Sequence, residues 1–346
     1  MSQTLNCPPV QQDEREVERG AFVARHLRLQ ALPADASARR YFRLEGAGML
    51  LMDSPPAREP LTPYLRVAKL LHHLGLSAPT VLAADEAAGL ALIEDFGHNT
   101  YTRLIAAGCA EAPLYELAVD CLAELHRAPA EYGALLPAYD AEHLLEECAL
   151  FIDWYVPQLL NGAPSPELRE SYLSLFTGLC KDVAGRREAI VLRDFHVDNL
   201  MLLHGRDGVA ACGLLDFQDA LHGAAAYDLM SLLEDARRDV PQELQNALMQ
   251  RYLAQRPDLD EKTFLADYAV LAAQRHAKVL GIFVRLAQRD GKLGYLDHLP
   301  RVLRLFSEAL DRPTLHPLRD FLDERLPAWR HDIPIVALNT PHDRTL

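Results

Sequence analysis

The sequence lacks a disulfide framework or a cysteine-built metal site. Its six cysteines, Cys7, Cys109, Cys121, Cys148, Cys180 and Cys212, are scattered. No C-x-x-C pair and no His-Cys cluster occurs, so buried or idle thiols in a reducing compartment are expected. No apolar run approaches the roughly 18–20 residues of a membrane span. The first residues, Met1 to Asn6, show no basic stretch leading into an apolar one, so a cytoplasmic protein with no membrane partner is expected. Basic residues are not in excess: 35 Lys and Arg stand against 49 Asp and Glu, a formal net charge of −14. That argues against a nucleic-acid partner. It leaves nucleotide binding open, because that depends on local donors and metal. Internal repeats and low-complexity tracts are also missing. What is present is 346 residues, 49% of them hydrophobic, enough for one large domain or two smaller ones around a sizeable core.

The chemistry concentrates in residues 191–217, Val-Leu-Arg-Asp-Phe-His-Val-Asp-Asn-Leu-Met-Leu-Leu, then a turn, then Gly-Leu-Leu-Asp-Phe. Asp194, Asn199 and Asp216 fall at the spacing of a phosphoryl-transfer site. The pattern matches H-R-D-x-x-x-x-N followed by D-F-G, with Leu192 in place of the His and Gln218 in place of the Gly. A carboxylate such as Asp194 can hold an acceptor hydroxyl in line and take its proton. Nucleotide phosphates need magnesium, which takes hard oxygen ligands with only one or two carboxylates. Asn199 offers an amide oxygen and Asp216 a carboxylate. The runs 200–203 and 211–215 read as two short strands joined by a turn at 204–208, a hairpin that brings Asn199 and Asp216 together at its open end. Asp228, at the start of a helix, adds a third acidic position.

Along the chain, residues 13–30 have the spacing of an amphipathic helix. Strands at 41–44 and 49–52 flank a Gly-containing turn. A helix follows at 63–75, then strands at 80–83 and 90–93. After Gly97 helical periodicity dominates, at about 99–107, 113–127, 140–160, 166–184, 225–237, 241–255, 260–289, 297–311 and 315–325. Asp194 then sits on a loop between a helical scaffold and a hairpin, and an irregular tail begins near Arg330.

These residues resemble the aminoglycoside phosphotransferase and choline kinase family of small-molecule kinases. Asp194-Phe195-His196-Val197-Asp198-Asn199 fits its D-x-H-x-x-N catalytic loop, Asp216 its metal-binding Asp, and Ala226-Tyr227-Asp228-Leu229 the segment whose buried Asp braces that loop. Segments 36–43, 52–56, 93–97 and 233–241 look closer still to bacterial cell-wall amino-sugar kinases. The resemblance covers most of the chain. It implies an α+β, protein kinase-like bilobal fold: a small β-rich N-lobe at 1–95 for the nucleotide, and a larger, mainly helical C-lobe at 96–346 for the catalytic loop, metal and acceptor. It implies ATP and Mg2+ as cofactors, a small-molecule amino sugar as partner, and phosphorylation of the anomeric hydroxyl of N-acetylmuramate or N-acetylglucosamine. A monomer is expected. An aminoglycoside, choline or homoserine acceptor is the rival within enzymes, and a nucleotide-binding pseudokinase the rival outside them.

On the nucleotide side, Ala36-Ser37-Ala38-Arg39-Arg40 fills the turn before a strand and is not G-x-G-x-x-G. Small residues let backbone N–H groups approach phosphate oxygens, and the Ser37 hydroxyl adds a donor. The strand Lys of protein kinases is missing from Leu50-Leu51-Met52-Asp53. Two explanations stand: Arg39, Arg40 or Arg43 supplies the cation, or Asp53 and Arg66 form an ion pair of reversed polarity. The carbonyl of Glu94 and the N–H of Phe96 are the expected adenine partners, which leaves the Glu94 and Asp95 side chains for other work. On the acceptor side, Arg193, Arg237, Arg238 and Arg275 are candidates, since Arg clamps a carboxylate bidentately. Glu234, one helical turn before Arg238, offers an ordinary ion pair there. His196 is expected to fix the catalytic loop.

Overall fold

A computed structural model describes residues 28–33 and 37–331. These divide into two compact units. One holds the residues up to 65 together with 79–97; the other holds 66–78 and those from 98 onward.

The first unit is built on a five-stranded antiparallel sheet: β1 (Leu29–Ala31), β2 (Arg40–Leu44), β3 (Met49–Asp53), β4 (Val81–Asp85) and β5 (Leu90–Glu94), in the order β1-β2-β3-β5-β4. The β2–β3 hairpin closes where the turn signal stands. Gly46 and Gly48 take φ of 75° and 64°, a region that side-chain-bearing residues avoid. Leu44, Leu51 and Leu90 form its buried cluster, with Leu29, Phe42 and Leu92 packed on it. Most of the expected helix at 13–30 lies outside the described residues, as does Ala36. Its last residues are corrected: Leu29 and Gln30 are strand, paired with Leu44 and Arg43. The pairing puts Gln30 on the ladder opposite Arg43 and seats Leu29 on the cluster, which overrides the apparent helical spacing.

Between β3 and β4 runs α1 (Thr62–His73). The second unit continues with α2 (Tyr101–Ala106), α3 (Glu111–His126), the short α4 (Ala130–Gly133) and α5 (Ala141–Leu150). A π-helical turn, Phe151–Tyr155, carries α5 into α6 (Val156–Leu160), and α7 (Pro166–Cys180) follows. Next come β6 (Ala189–Val191), β7 (Leu200–Leu202), β8 (Cys212–Leu214) and β9 (Leu221–Gly223). The chain ends in α8 (Ala226–Leu233), α9 (Gln242–Gln255), α10 (Glu261–Asp290), α11 (Leu299–Leu310) and α12 (His316–Arg325). Several helices start on a side-chain cap. Asp140, Ser165 and Asp260 accept from the backbone N–H three residues on, at the heads of α5, α7 and α10, each worth about 1 kcal/mol.

The long α10 is the spine of this unit, packed by α5, the π turn, α8 and α11. At Gly281 the approach is so close that an added Cβ would lie 2.1 Å from the Leu150 carbonyl oxygen. An aromatic cluster sits nearby: Phe151 stacks on Tyr155 and Tyr172, and Phe306 meets Phe151 and Trp329.

Two short ladders frame the loop that carries Asp194. β7 pairs with β8, Leu200 opposite Leu214, as the hairpin pattern indicates. β6 pairs with β9, Val191 opposite Leu221, a ladder that sequence reading does not reveal. Cys121, Cys148, Cys180 and Cys212 are buried and Cys109 is exposed, all as free thiols; Cys7 lies outside the described residues. Among the described residues no helix is long and apolar enough to cross a membrane.

Candidate active site

The loop from Leu192 to Asn199 leaves β6 and enters β7, so both ends are fixed by ladders. Asp228, buried in the first turn of α8, fixes its first two residues. Its carboxylate accepts the backbone N–H groups of Leu192 at 2.6 Å and Arg193 at 2.9 Å. Arg193 sits in left-handed backbone, φ 71°, and Asp216 does so at 57°. Among the described residues Asn161 is the one other non-glycine residue in that region. Such backbone costs about 1–2 kcal/mol and persists where the surroundings over-determine it. The arrangement turns Asp194 and Asp216 out of their local chain direction.

Asp194 is 42% exposed, with Oδ1 3.9 Å from Nη1 of Arg275. Packing around the carboxyl opposes its charge. Lys278, Arg275 and Arg193 outweigh that, so the group is held below the usual carboxylate range. Asn199 donates its side-chain N–H to the Asp194 carbonyl at 2.9 Å, which turns its amide oxygen away from the loop. Leu215 N–H bonds the Asn199 carbonyl at 2.9 Å, so Asn199 and Asp216 stand at the open end of the β7–β8 hairpin. Asp216 is exposed, and Gln218 donates to its Oδ1 at 2.8 Å. One carboxylate and one amide oxygen, both hard donors, fit magnesium.

His196 is buried, 3.3 Å from Arg237 Nη1 through Nε2. Burial and the Arg237 charge push its pKa down to about 3, so it is neutral and holds the loop without carrying charge. Arg237 also lies 3.3 Å from Asp198, and Asp198 accepts the Thr102 hydroxyl. Arg275, 3% exposed, donates to the Arg193 carbonyl at 3.4 Å. Arg193 itself reaches Glu147. The Glu234–Arg238 ion pair is corrected: α8 stops at Leu233, so the one-turn spacing is lost. Arg238 instead bonds Glu111 at 2.6 Å, and Glu234 bonds His276 at 2.7 Å.

Sequence reasoning missed Glu147. It lies on α5, 7% exposed, and accepts from Lys278 at 2.7 Å, Gln274 at 2.8 Å, the Tyr139 hydroxyl and Arg193. A lone Glu in an amphipathic helix carries no local signal. Only the inward-facing charges of α10, which a soluble helix normally turns outward, point to a buried partner.

In the first unit, Ser37 Oγ donates to Glu59 at 2.6 Å and accepts the Arg39 N–H at 2.9 Å. Arg39 is buried, with Nε 3.2 Å from Ser54 Oγ and 3.4 Å from Glu59, while Arg40 is exposed. Arg43 forks onto both oxygens of Asp95. Asp53 is buried and Arg66 exposed. The Glu94 and Asp95 side chains are therefore engaged inside the protein, against the expectation that they stand ready for other work. Glu94 accepts from Thr80 Oγ1 at 2.8 Å, and Asp95 takes Arg43 and the Gly97 N–H. Asp95 N–H bonds the Gly48 carbonyl at 3.0 Å, which ties the segment after β5 to the β2–β3 turn.

The chain is 37% identical to the N-acetylmuramate/N-acetylglucosamine kinase of Caulobacter vibrioides, over 91% of this chain and 97% of that one. It is 35% identical to the enzyme of the same name from Pseudomonas aeruginosa, over 85% and 88%. Its fold is similar to a choline/ethanolamine kinase family protein from Mesorhizobium loti, with a TM-score of 0.57 at 14% identity over 90% and 92% of the chains. It is also similar to an ADP-bound aminoglycoside phosphotransferase, with a TM-score of 0.56 at 14% identity over 86% and 99%. The model of the phosphotransferase enzyme family matches residues 28–268, more than half the sequence, and the chain belongs to that family.

Proposed function

We propose that the protein transfers the γ-phosphoryl group of ATP to the anomeric hydroxyl of N-acetylmuramate or N-acetylglucosamine, giving the sugar 1-phosphate. The observation that carries the reading is Asp194: a partly exposed carboxylate whose backbone carbonyl takes the Asn199 side chain, with Asp216 following the Leu215 N–H that bonds Asn199. The named activity of relatives at 37% and 35% identity supports the amino-sugar acceptor. Cell-wall sugar recycling is the setting that such a product fits.

Asp194 accepts a hydrogen bond from the acceptor hydroxyl, aligns its oxygen with the phosphorus and takes the proton as the new bond forms. Its low pKa keeps it ionised and hydrogen-bond accepting at neutral pH. Asn199 and Asp216 would hold Mg2+, which when bound neutralises charge on the phosphates. Asp228 keeps the loop in place, and neutral His196 packs beneath it. Residues 1–95 carry the nucleotide, with the Ser37–Arg40 turn at the phosphates and the Glu94–Phe96 backbone at the adenine. Residues 96–346 carry the acceptor, with Arg193, Arg237 and Arg275 around the base.

The test is ATP consumption against a panel of N-acetylmuramate, N-acetylglucosamine, an aminoglycoside, choline and homoserine, with the phosphate placed on the product by 31P NMR. A 1-phosphate of either amino sugar is expected. Inactivity with both, or phosphate at another carbon, overturns the reading. Asp194→Asn is expected to lower kcat by about 10²–10⁴-fold.

A further inference from the structure

We infer that Glu147 is a positioning residue for phosphoryl transfer, acting on Asp194 through the side chain of Arg193. The inference rests on the reading of Asp194 as base. Arg193 immediately precedes that base, and its φ of 71° sets the direction in which Asp194 leaves the chain. A β-unbranched but long side chain does not favour that conformation by itself. Three contacts hold it there. Asp228 takes the Arg193 N–H at 2.9 Å. Arg275 donates to the Arg193 carbonyl at 3.4 Å. Glu147 takes the guanidinium. The first two bind the peptide groups on either side of Cα. The third bonds the side chain, whose guanidinium also lies 6.0 Å from the Tyr139 ring centre, and so restricts rotation of the residue as a whole.

Glu147 is itself held tightly. Lys278 at 2.7 Å, Gln274 at 2.8 Å and the Tyr139 hydroxyl bond the same carboxylate. Gln274 and Lys278 lie one turn apart on α10, and Arg275, from the same turn, reaches the other side of Arg193. The carboxylate thus ties the catalytic loop to the spine of the unit. A carboxylate placed only for packing would not need two cations and two further donors. This one gathers Arg193 and Lys278, both of which also act on the charge of Asp194. With Glu147 in place the group of Glu147, Arg193 and Lys278 carries one net positive charge, which acts on the carboxylate of Asp194.

The test is a kinetic cycle of Glu147→Gln and Asp194→Asn, measured with the acceptor that the wild type phosphorylates. Folded fraction and Tm are checked by circular dichroism. Glu147→Gln is expected to lower kcat by 30-fold or more and to leave the KM for ATP within about two-fold, since the change acts at the base. In the Asp194→Asn background the same change should lower the residual rate by less than two-fold, because the base it positions is gone. A further loss there equal to that in the wild type would overturn the inference, as would an unchanged kcat in folded Glu147→Gln. Should the single variant fail to fold, Glu147→Gln with Lys278→Gln keeps the net charge of the group at plus one and still releases Arg193; the same kcat loss and the same masking are expected. A wild type active on amino sugars whose Asp194→Asn variant keeps full activity would instead refute the reading of Asp194 itself, and that result is distinguishable from failure of the Glu147 link.

Discussion

At the scale of single residues, the missing strand Lys is the clearest departure from a protein kinase pattern. Of the arginines that stand near its place, Arg39 is buried against Glu59 and Ser54, and Arg43 is forked onto Asp95. Both positions hold charge inside the unit, where removing one partner leaves the other unpaired. Arg40 is exposed on the first residue of β2. The two neighbours should therefore separate in their effects. Arg39→Ala is expected to lower stability by about 2 kcal/mol in urea denaturation, because it strips a hydrogen bond from buried Ser54 and a counter-charge from Glu59. Arg40→Ala is expected to raise the KM for ATP by about ten-fold with little change in stability, the loss of one charge-assisted phosphate contact. An Arg40→Ala enzyme with an unchanged KM would move the search for the phosphate cation elsewhere.

At the scale of elements, α10 joins packing to chemistry. Gly281 lets it lie against the Leu150 carbonyl, where α5 enters the π-helical turn. An added methyl group there meets backbone, which cannot swing aside as a side chain does. Gly281→Ala is expected to destabilise the protein by about 1–3 kcal/mol despite the better helix propensity of Ala, and a melting curve would show it. Displacing α10 would also shift Arg275 and Lys278 from the catalytic loop, so kcat should fall with Tm. A more stable variant would contradict the close approach. The same elements show what the sequence makes legible. Helices of ten residues or more repeat their apolar positions often enough to be read, and the expected run at 140–160 is helical from Ala141 to Leu160 with the π turn inside it. The β7–β8 hairpin is legible because its two strands are close in sequence. The β6–β9 ladder is not: each strand has three residues, and about thirty residues separate them. Asp194, Asn199, Asp216 and Asp228 are legible because their spacing is local and chemical. Glu147 is not, because its partner Arg193 lies 46 residues away and the link exists only after α5, α10 and the catalytic loop have packed.

At the scale of the whole molecule, the buried charges around Asp194 couple folding to pH. His196 has its pKa pushed from 6.5 to about 3 by burial and Arg237. The unfolded chain therefore binds a proton below pH 6.5 that the folded chain refuses, and stability falls as pH drops from 6.5 toward 3. Burial opposes the charge of Glu147, but Lys278 and Arg193 prevail and bring its pKa from 4.5 to about 2. Its contribution is complete above 4.5 and is lost as pH falls toward 2. At 1.36 kcal/mol per unit this is on the order of 3 kcal/mol. The two effects act in sequence, the His first and the Glu second, so wild-type stability should decline in two overlapping stages on acidification. Urea denaturation at intervals from pH 7.5 to pH 3 would resolve them. His196→Gln should flatten the upper stage and leave the lower slope intact. Glu147→Gln should be less stable than wild type at pH 7, because Arg193 and Lys278 lose their shared counter-charge, and should converge on wild type as pH falls below about 4.5. A Glu147→Gln curve that runs parallel to wild type down to pH 3 would mean that this carboxylate titrates alike in the folded and unfolded chain, with no net gain from its ion pairs. The stabilisation assigned to the contacts of Glu147 with Arg193 and Lys278 would then have to be found in packing rather than charge.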